Sequence, residues 1–572
     1  MTRRALVVGG IALVVWATLA YATGGVSGSW FGISLSARSV GRPLILAMAL
    51  LGWAAFSSGW RPIDADIEWL AAALRPTLTP AIAAAAAAVL LLGIVRGIDT
   101  AAGADSYGYL SQADLWLRGN LRIEQPFVAK IAVPYADWAF APLGYRPAVG
   151  GEHVIVPTYS PGLPILMAAF KRVAGPLGPY YVVPILGAMT VWLCYLLGQR
   201  AGSPLIGAAA AIGLAASPAF LFQLLWPMSD IPAAAFWTAA LLCALTPRRY
   251  ASFAAGLCAS VAIAIRPNLA PLAVILLVFL FLTNRGWRAF ALGVLPSFCL
   301  VALVNAYLYG SPLSSGYGEL GTLYALENGP INVTRYGGWL LTTQTPVIAL
   351  AVVALAAPPR LINWFLAAFA VGTFLTYVFY SPFDDWWYLR FLLPALPPLL
   401  VLMMSGGWWL LRRTPRLVQA IVIPCGLILV VSYQLHFLVS RGALLLREGE
   451  RRYQTVGKYA ASSTPPNAVF ISMQHSGSLR YYSGRLTMRY DWVPADWLDR
   501  AIATLRAQGY RPFIVLDDWE EPVFKRRFAA YSDIGKLAWP ATVEFKDTIA
   551  MPVRLYEPGV TAEPSPRAEA AR

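Results

Sequence analysis

The 572-residue chain is 58% hydrophobic and only 13% charged; soluble proteins carry about a quarter charged residues, so this is the composition of a membrane protein. Its formal charge of +15 does not make it a nucleic-acid binder, because the basic residues stand as one to three arginines between apolar runs, not in a stripe or block. The five cysteines (Cys194, Cys243, Cys258, Cys299 and Cys425) all fall in apolar segments with no CxxC, and indicate neither a disulfide frame nor a zinc site.

Apolar runs near spanning length occur at 5–22, 43–59, 80–97, 178–197, 203–223, 229–246, 251–266, 270–284, 289–309, 339–357, 361–380, 391–411 and 417–440, about thirteen spans. Placing the N-terminus inside puts Arg3, Arg4, Arg61, Arg75, Arg200, Arg248, Arg249, Arg285, Arg288, Arg360, Arg412, Arg413 and Arg416 in inward loops. The short outward loops then hold only Arg38, Arg42, Arg266 and Arg390, which obeys the positive-inside rule along the whole length. "GLPILMAAFKRVAG" (162–175) is too short to span, and a span there would invert the arginine bias, so it reads as an interfacial or re-entrant helix. The first run also fits a signal peptide, with Arg3-Arg4 before it and Ala20-Tyr21-Ala22 at its end; cleavage would leave the remaining topology unchanged.

This divides the chain into two N-terminal spans (1–79), a membrane core (80–444), a hydrophilic α/β unit (445–560) and a disordered tail (561–572). Three outward features follow: a polar loop at 98–177, another at about 310–338, and the hydrophilic C-terminal part. The first loop is rich in aromatics and prolines ("PFVAKIAVPYADWAFAPLGYRP"), which points to packed structure, not disorder. In the C-terminal part helical patterns ("EGERRYQTVGKYAASS", "PADWLDRAIATLRAQG", "EEPVFKRRFAAYS") alternate with strand patterns ("NAVFISM", "RPFIVLDD", "VRLYEP"). That alternation predicts a small α/β domain with parallel strands and no phosphate-binding glycine motif.

Carboxylates from separate parts of the chain reach the same outer boundary: Asp99, Asp105 and Asp114, then Asp230, then Asp384 and Asp385. Arg266 and Arg390 are outward arginines that the topology rule disfavours, so each needs a reason, either snorkelling to lipid phosphates or clamping the phosphate of a bound substrate. The ordered segments "GADSYGYLSQADLW", "YSPGLPILMAAF", "MSDIPAAAFW", "RPNLAPL" and "YLRFLLPALP", over about residues 80–410, resemble the C-type (GT-C) glycosyltransferases. The likeness is to the protein O-mannosyltransferase and lipid A aminoarabinose transferase group.

The resemblance implies a multi-span enzyme that takes a sugar from a polyprenyl phosphate and passes it to a glycan, lipid or protein acceptor outside the cytoplasm, at the bacterial inner membrane. It implies Asp105 as catalytic base, Asp230 as the second functional acid, and Arg266 and Arg390 as phosphate contacts. Ser106 departs from the pattern, since the mannosyltransferases often have a second acid there. The chemistry needs a base for the acceptor hydroxyl and cations for the departing phosphate, and direct displacement would invert the anomeric centre. No cofactor is indicated; some superfamily members bind a divalent metal, but neither a dense acidic cluster nor a histidine pair requires one here.

Plainer readings stand beside these. Asp105 and Asp230 both sit where aspartate caps helices, Asp230 ahead of Pro232. Asp384 and Asp385 could simply pair with Arg390. Tyr107 and Tyr109 fit an interfacial aromatic belt as well as a sugar-binding wall. His153 and Asp385 are further candidates for substrate binding, and His475 has no partner visible in the sequence. The alternative from another class is a transporter or flippase of lipid-linked sugars, which would place ionisable groups at mid-membrane on interrupted helices.

Overall fold

A computed structural model describes residues 2–30, 33–37, 39–248, 250–546 and 551–559; Arg38 and Arg249 of the arginine tally, and the tail at 561–572, lie outside them. The chain is mainly helical. Among the described residues eight helices are long and apolar enough to cross a membrane, or up to ten if each of two bent pairs is one span. The bent pairs are Pro204–Ala216 with Pro218–Leu224, at 59°, and Leu326–Gln344 with Pro346–Ala356, at 112°. Both breaks precede a proline, which forces its predecessor out of the helical region: Ser217 has ψ 122° and Thr345 φ 63°, ψ 161°. Three shorter apolar helices, Asp230–Leu245, Ala251–Ile265 and Pro267–Leu282, lie over the remaining expected spans.

The structure differs from the sequence expectation at several connections. Residues 61–79 are not a loop, because Trp60–Arg96 is one 37-residue helix with Pro76 and Pro80 inside it. Its Ala-, Leu- and Arg-rich first half favours helix, and membrane proteins tolerate internal prolines. Asp66 on that helix is buried and accepts from Arg3 at 2.7 Å and from Arg4 at 3.4 Å. The stretch after Asp105 is likewise a 14-residue helix, Asp105–Arg118, where a polar loop was expected. Its buried face is made of Ser106, Tyr107, Tyr109 and Gln112 as well as Leu110 and Leu115, so the helical period is invisible to an apolar count.

The Gly162–Ala174 helix packs against Asp105–Arg118. It ends at Gly175, whose φ of 71° lets the chain turn into the Gly178–Ala201 helix. Glycine also sets the distance between membrane helices. A β-carbon on Gly256 would stand 2.3 Å from the Phe290 carbonyl oxygen, so Ala251–Ile265 and Trp287–Tyr309 touch backbone to backbone. Ser260 and Ser297 hydrogen-bond across the same seam at 2.8 Å.

The C-terminal part holds a five-stranded mixed sheet in the order Leu486–Met488, Ala468–Ile471, Arg511–Asp517, Val553–Tyr556, Val543–Phe545. The first three strands are parallel and the last two pair antiparallel. The helices Leu446–Ser463, Leu498–Ala507 and Glu520–Phe528 fall where the sequence places them. The 98–177 region shares this unit's core: Val128, Ile131, Val133, Ala139 and Phe140 are buried against Val469, Ile471, Met488 and Tyr490. Arg480 ties the two parts together, donating to the Phe140 carbonyl at 2.6 Å and to Gln125 Oε1 at 3.0 Å.

Candidate active site

A cavity of about 1620 Å³ lies between one end of the helix bundle and the C-terminal sheet unit. Asp105, Arg266, Arg390, Arg441, Glu450 and Arg452 line it, and Asp230 lies against Arg266. Asp105 opens the Asp105–Arg118 helix and Asp230 opens Asp230–Leu245, the helix ends where negative charge is favoured. Arg266 follows the Ala251–Ile265 helix, and Pro267 behind it holds its backbone extended, at φ −138° and ψ 87°. Arg390 lies in the 3₁₀ segment Trp386–Ala395.

Neither aspartate caps its helix with its side chain. Asp105 instead takes the Tyr159 hydroxyl on Oδ1 at 2.6 Å and Arg390 on Oδ2 at 3.3 Å. Asp230 is 1% exposed and receives Arg266 on Oδ1 at 2.7 Å, while its Oδ2 has no hydrogen-bond partner among the described residues. Arg266 donates twice more: Nε to Ser229 at 2.9 Å and another nitrogen to the Tyr377 hydroxyl at 3.1 Å. Ser229 also accepts from the Tyr109 hydroxyl at 3.0 Å. Arg390 differs, since its buried Nε is unpartnered among the described residues and its guanidinium lies 5.2 Å from both the Tyr388 and Phe391 ring centres. Both guanidinium groups reach the cavity wall, and Arg390 holds the longer ion pair, 3.3 Å to Asp105 against 2.7 Å from Arg266 to Asp230.

The tertiary structure thus brings Asp105, Arg266, Arg390 and Tyr109 to the wall of one cavity, holds Asp230 against Arg266 off that wall, and leaves three candidates outside it. Tyr107 is two residues before Tyr109, about 200° away around the helix, and packs on Tyr145 and Tyr481. His153 holds Asp137 at 2.9 Å within the loop region. Asp385 is exposed at the start of the 3₁₀ segment and does not line the cavity. The expected pairing of Asp384 and Asp385 with Arg390 does not form, because Arg390 meets Asp105 while Asp384 pairs with Arg335. Asp99 and Asp114 are held by Arg447 and Lys171. Ser106, buried at the cavity wall, has an Oγ without a partner among the described residues. Among those residues no three His, Cys, Asp or Glu side chains form a metal-sized group.

Sequence reasoning missed Tyr159, Ser229 and Tyr377, because a lone tyrosine or serine carries no signal until its partner is known. It also missed the C-terminal wall of the cavity, Glu450, Arg452, Tyr453 and Gln474. His475, next to Gln474, proves to be buried with Nε2 3.0 Å from Asp517 Oδ1. Burial alone would push Asp517 up, but the His475 ring and Arg452 more than offset it and hold its carboxyl below the ordinary value. Burial raises Glu450 above the ordinary value against the pull of Arg452.

The fold of the chain is shared with solved structures. It is similar to ArnT, the lipid A aminoarabinose transferase, from Cupriavidus metallidurans bound to undecaprenyl phosphate. The TM-score is 0.53 and the identity 12%, over 85% of this chain and 99% of that one. It is also similar to the Archaeoglobus fulgidus oligosaccharyltransferase tethered with an acceptor peptide, at TM-score 0.51 and 13% identity, over 82% of this chain and 73% of that one. No protein-family model and no curated protein matches the sequence.

Proposed function

We propose that this chain is a glycosyltransferase of about thirteen spans, acting at the outer face of the bacterial inner membrane on a sugar carried by a polyprenyl phosphate. The observation that carries the reading is that Asp105, held by the Tyr159 hydroxyl, meets Arg390 on the wall of a large cavity at one end of an apolar bundle. Asp105 takes the proton of the acceptor hydroxyl. The acceptor oxygen bonds to the anomeric carbon from the face opposite the leaving group. The bond from that carbon to the phosphate oxygen breaks, the polyprenyl phosphate leaves with the electron pair, and the sugar inverts. Arg390, on the cavity wall, receives the phosphate charge through its guanidinium. Arg266 is a support that holds Asp230 and Ser229 in place, not a clamp. The fold it shares with ArnT, bound there to undecaprenyl phosphate, supports the donor class.

The two broken spans are what a flippase reading would claim. Their breaks, however, are tied to each other, Gln344 donating to Ser217 at 2.8 Å and Gln434 to Gln344 at 2.9 Å. None of those groups is among the cavity's ionisable residues. The test is purified full-length protein in sealed proteoliposomes with radiolabelled undecaprenyl-phosphate hexoses and pentoses. Release or transfer of label that Asp105→Asn eliminates supports the transferase; transbilayer movement of intact donor without release supports the flippase.

A further inference from the structure

The cavity has two polar poles, and the proposed chemistry uses only one. The second is built by the C-terminal unit. Glu450, Arg452 and Tyr453 come from the Leu446–Ser463 helix, and Gln474 follows the Ala468–Ile471 strand; all four line the cavity. Arg452 donates to Glu450 at 2.9 Å and to Asp517 at 3.3 Å, and Gln474 Nε2 donates to the Tyr453 hydroxyl at 2.8 Å. The side chains of Glu450 and Arg452 keep 12% and 17% exposure, and that exposure is into the cavity.

This pole is joined to the catalytic one by the segment that leads into Asp105. Thr100 donates to the Glu450 carbonyl at 3.3 Å. Gly103, two residues before Asp105, has φ 54° and lies so close that a β-carbon would stand 3.3 Å from Gln474 Nε2. A ligand seated on Glu450 and Gln474 therefore lies beside the proposed base.

Resting on the transferase reading, we infer that Glu450, Arg452 and Gln474 form the acceptor subsite, and that the acceptor it takes is a hydroxyl-rich, uncharged sugar residue. A carboxylate, a guanidinium and a primary amide together offer both acceptors and donors to neighbouring hydroxyls. Glu450 disfavours a phosphate at the same place, since Arg452 is already shared between Glu450 and Asp517. Among the described residues no strand of the C-terminal sheet lines the cavity, so none of those strands offers an edge there to an extended peptide. The ring of Trp387, also on the cavity wall and stacked on Phe222 at 5.7 Å, supplies an apolar surface for a sugar face.

The test uses the full-length protein in nanodiscs, whichever undecaprenyl-phosphate sugar it turns over, and three probe acceptors: octyl glycosides, a Ser/Thr-containing octapeptide and a phosphorylated lipid disaccharide. Transfer to an octyl glycoside is expected, with Gln474→Met and Glu450→Gln each raising its KM about ten-fold or more, the scale of one lost hydrogen bond to a charged or polar partner. The donor KM, read from hydrolysis by water, moves less than two-fold in the same variants, and Glu450→Asp recovers part of the loss. Both substitutions preserve side-chain size, and a gel-filtration profile like the parent's shows that they fold. Transfer to the peptide or the phosphorylated lipid alone overturns the assignment, as does an unchanged glycoside KM in both variants. If the parent protein turns over no donor at all, the transferase reading falls first and the subsite with it.

Discussion

The Tyr159 hydroxyl donates to Asp105 Oδ1 across 2.6 Å, and Gly108, one turn along the helix that Asp105 opens, leaves the space in which the Tyr159 ring sits. A β-carbon on Gly108 would lie 2.2 Å from Cε2 of that ring. The orientation of the proposed base is therefore set by a ring that only a glycine admits. Gly108→Ala is expected to lower kcat by displacing Tyr159, and Tyr159→Phe, which removes the hydroxyl and keeps the ring, to lower it in the same direction. Steady-state kinetics of the two variants check this: loss in Gly108→Ala with none in Tyr159→Phe would assign the effect to packing instead.

Asp105→Asn keeps the shape and a hydrogen-bond acceptor for Tyr159 but cannot take a proton. Transfer is expected to fall by about 10²- to 10⁴-fold, the usual scale for removing a general base, with an unchanged gel-filtration profile. Initial rates on a labelled polyprenyl-phosphate sugar measure it, and parental rates would remove Asp105 from the mechanism.

The two cavity arginines should separate in a single experiment. Arg266→Met leaves Asp230, 1% exposed, without its cation. Stripping one partner from a buried pair costs about 3–5 kcal/mol, so this variant should lose thermal stability along with activity. Arg390→Met should chiefly raise the donor KM, because Asp105 is partly exposed and still has Tyr159. Melting curves and donor titrations of both variants decide between support and clamp.

The buried pair of Asp517 and His475 carries a pH signature. The Asp517 carboxyl is held below its ordinary value, so its stabilising contribution is present above the unfolded-state aspartate range and is lost as pH falls through the lower folded value. Asp517→Asn should therefore be less stable than the parent at neutral pH, and the gap should close in acid. Thermal unfolding of both proteins between neutral and strongly acid pH tests the sign.

Much of this molecule follows from local pattern. Apolar runs locate the spanning helices because lipid forces every backbone polar group into helix. The alternation of "NAVFISM" and "RPFIVLDD" with helical stretches marked two of the parallel strands. Asp105, Asp230, Arg266 and Arg390 were visible as charges where charge is costly. What local pattern could not tell was which charges meet. Asp99, Asp114 and Asp384 looked the same as Asp105, yet Arg447, Lys171 and Arg335 occupy them. Arg390 meets a carboxylate 285 positions away, and Gln474 reaches the cavity from beyond the last span. The sequence alone determined a polytopic helical protein with acids and arginines at its span ends, because burial and charge cost are properties of single segments. The partners of Asp105, Asp230 and Arg390, and the second polar pole of the cavity, belonged to the tertiary structure, because each depends on groups that only folding brings within hydrogen-bond reach.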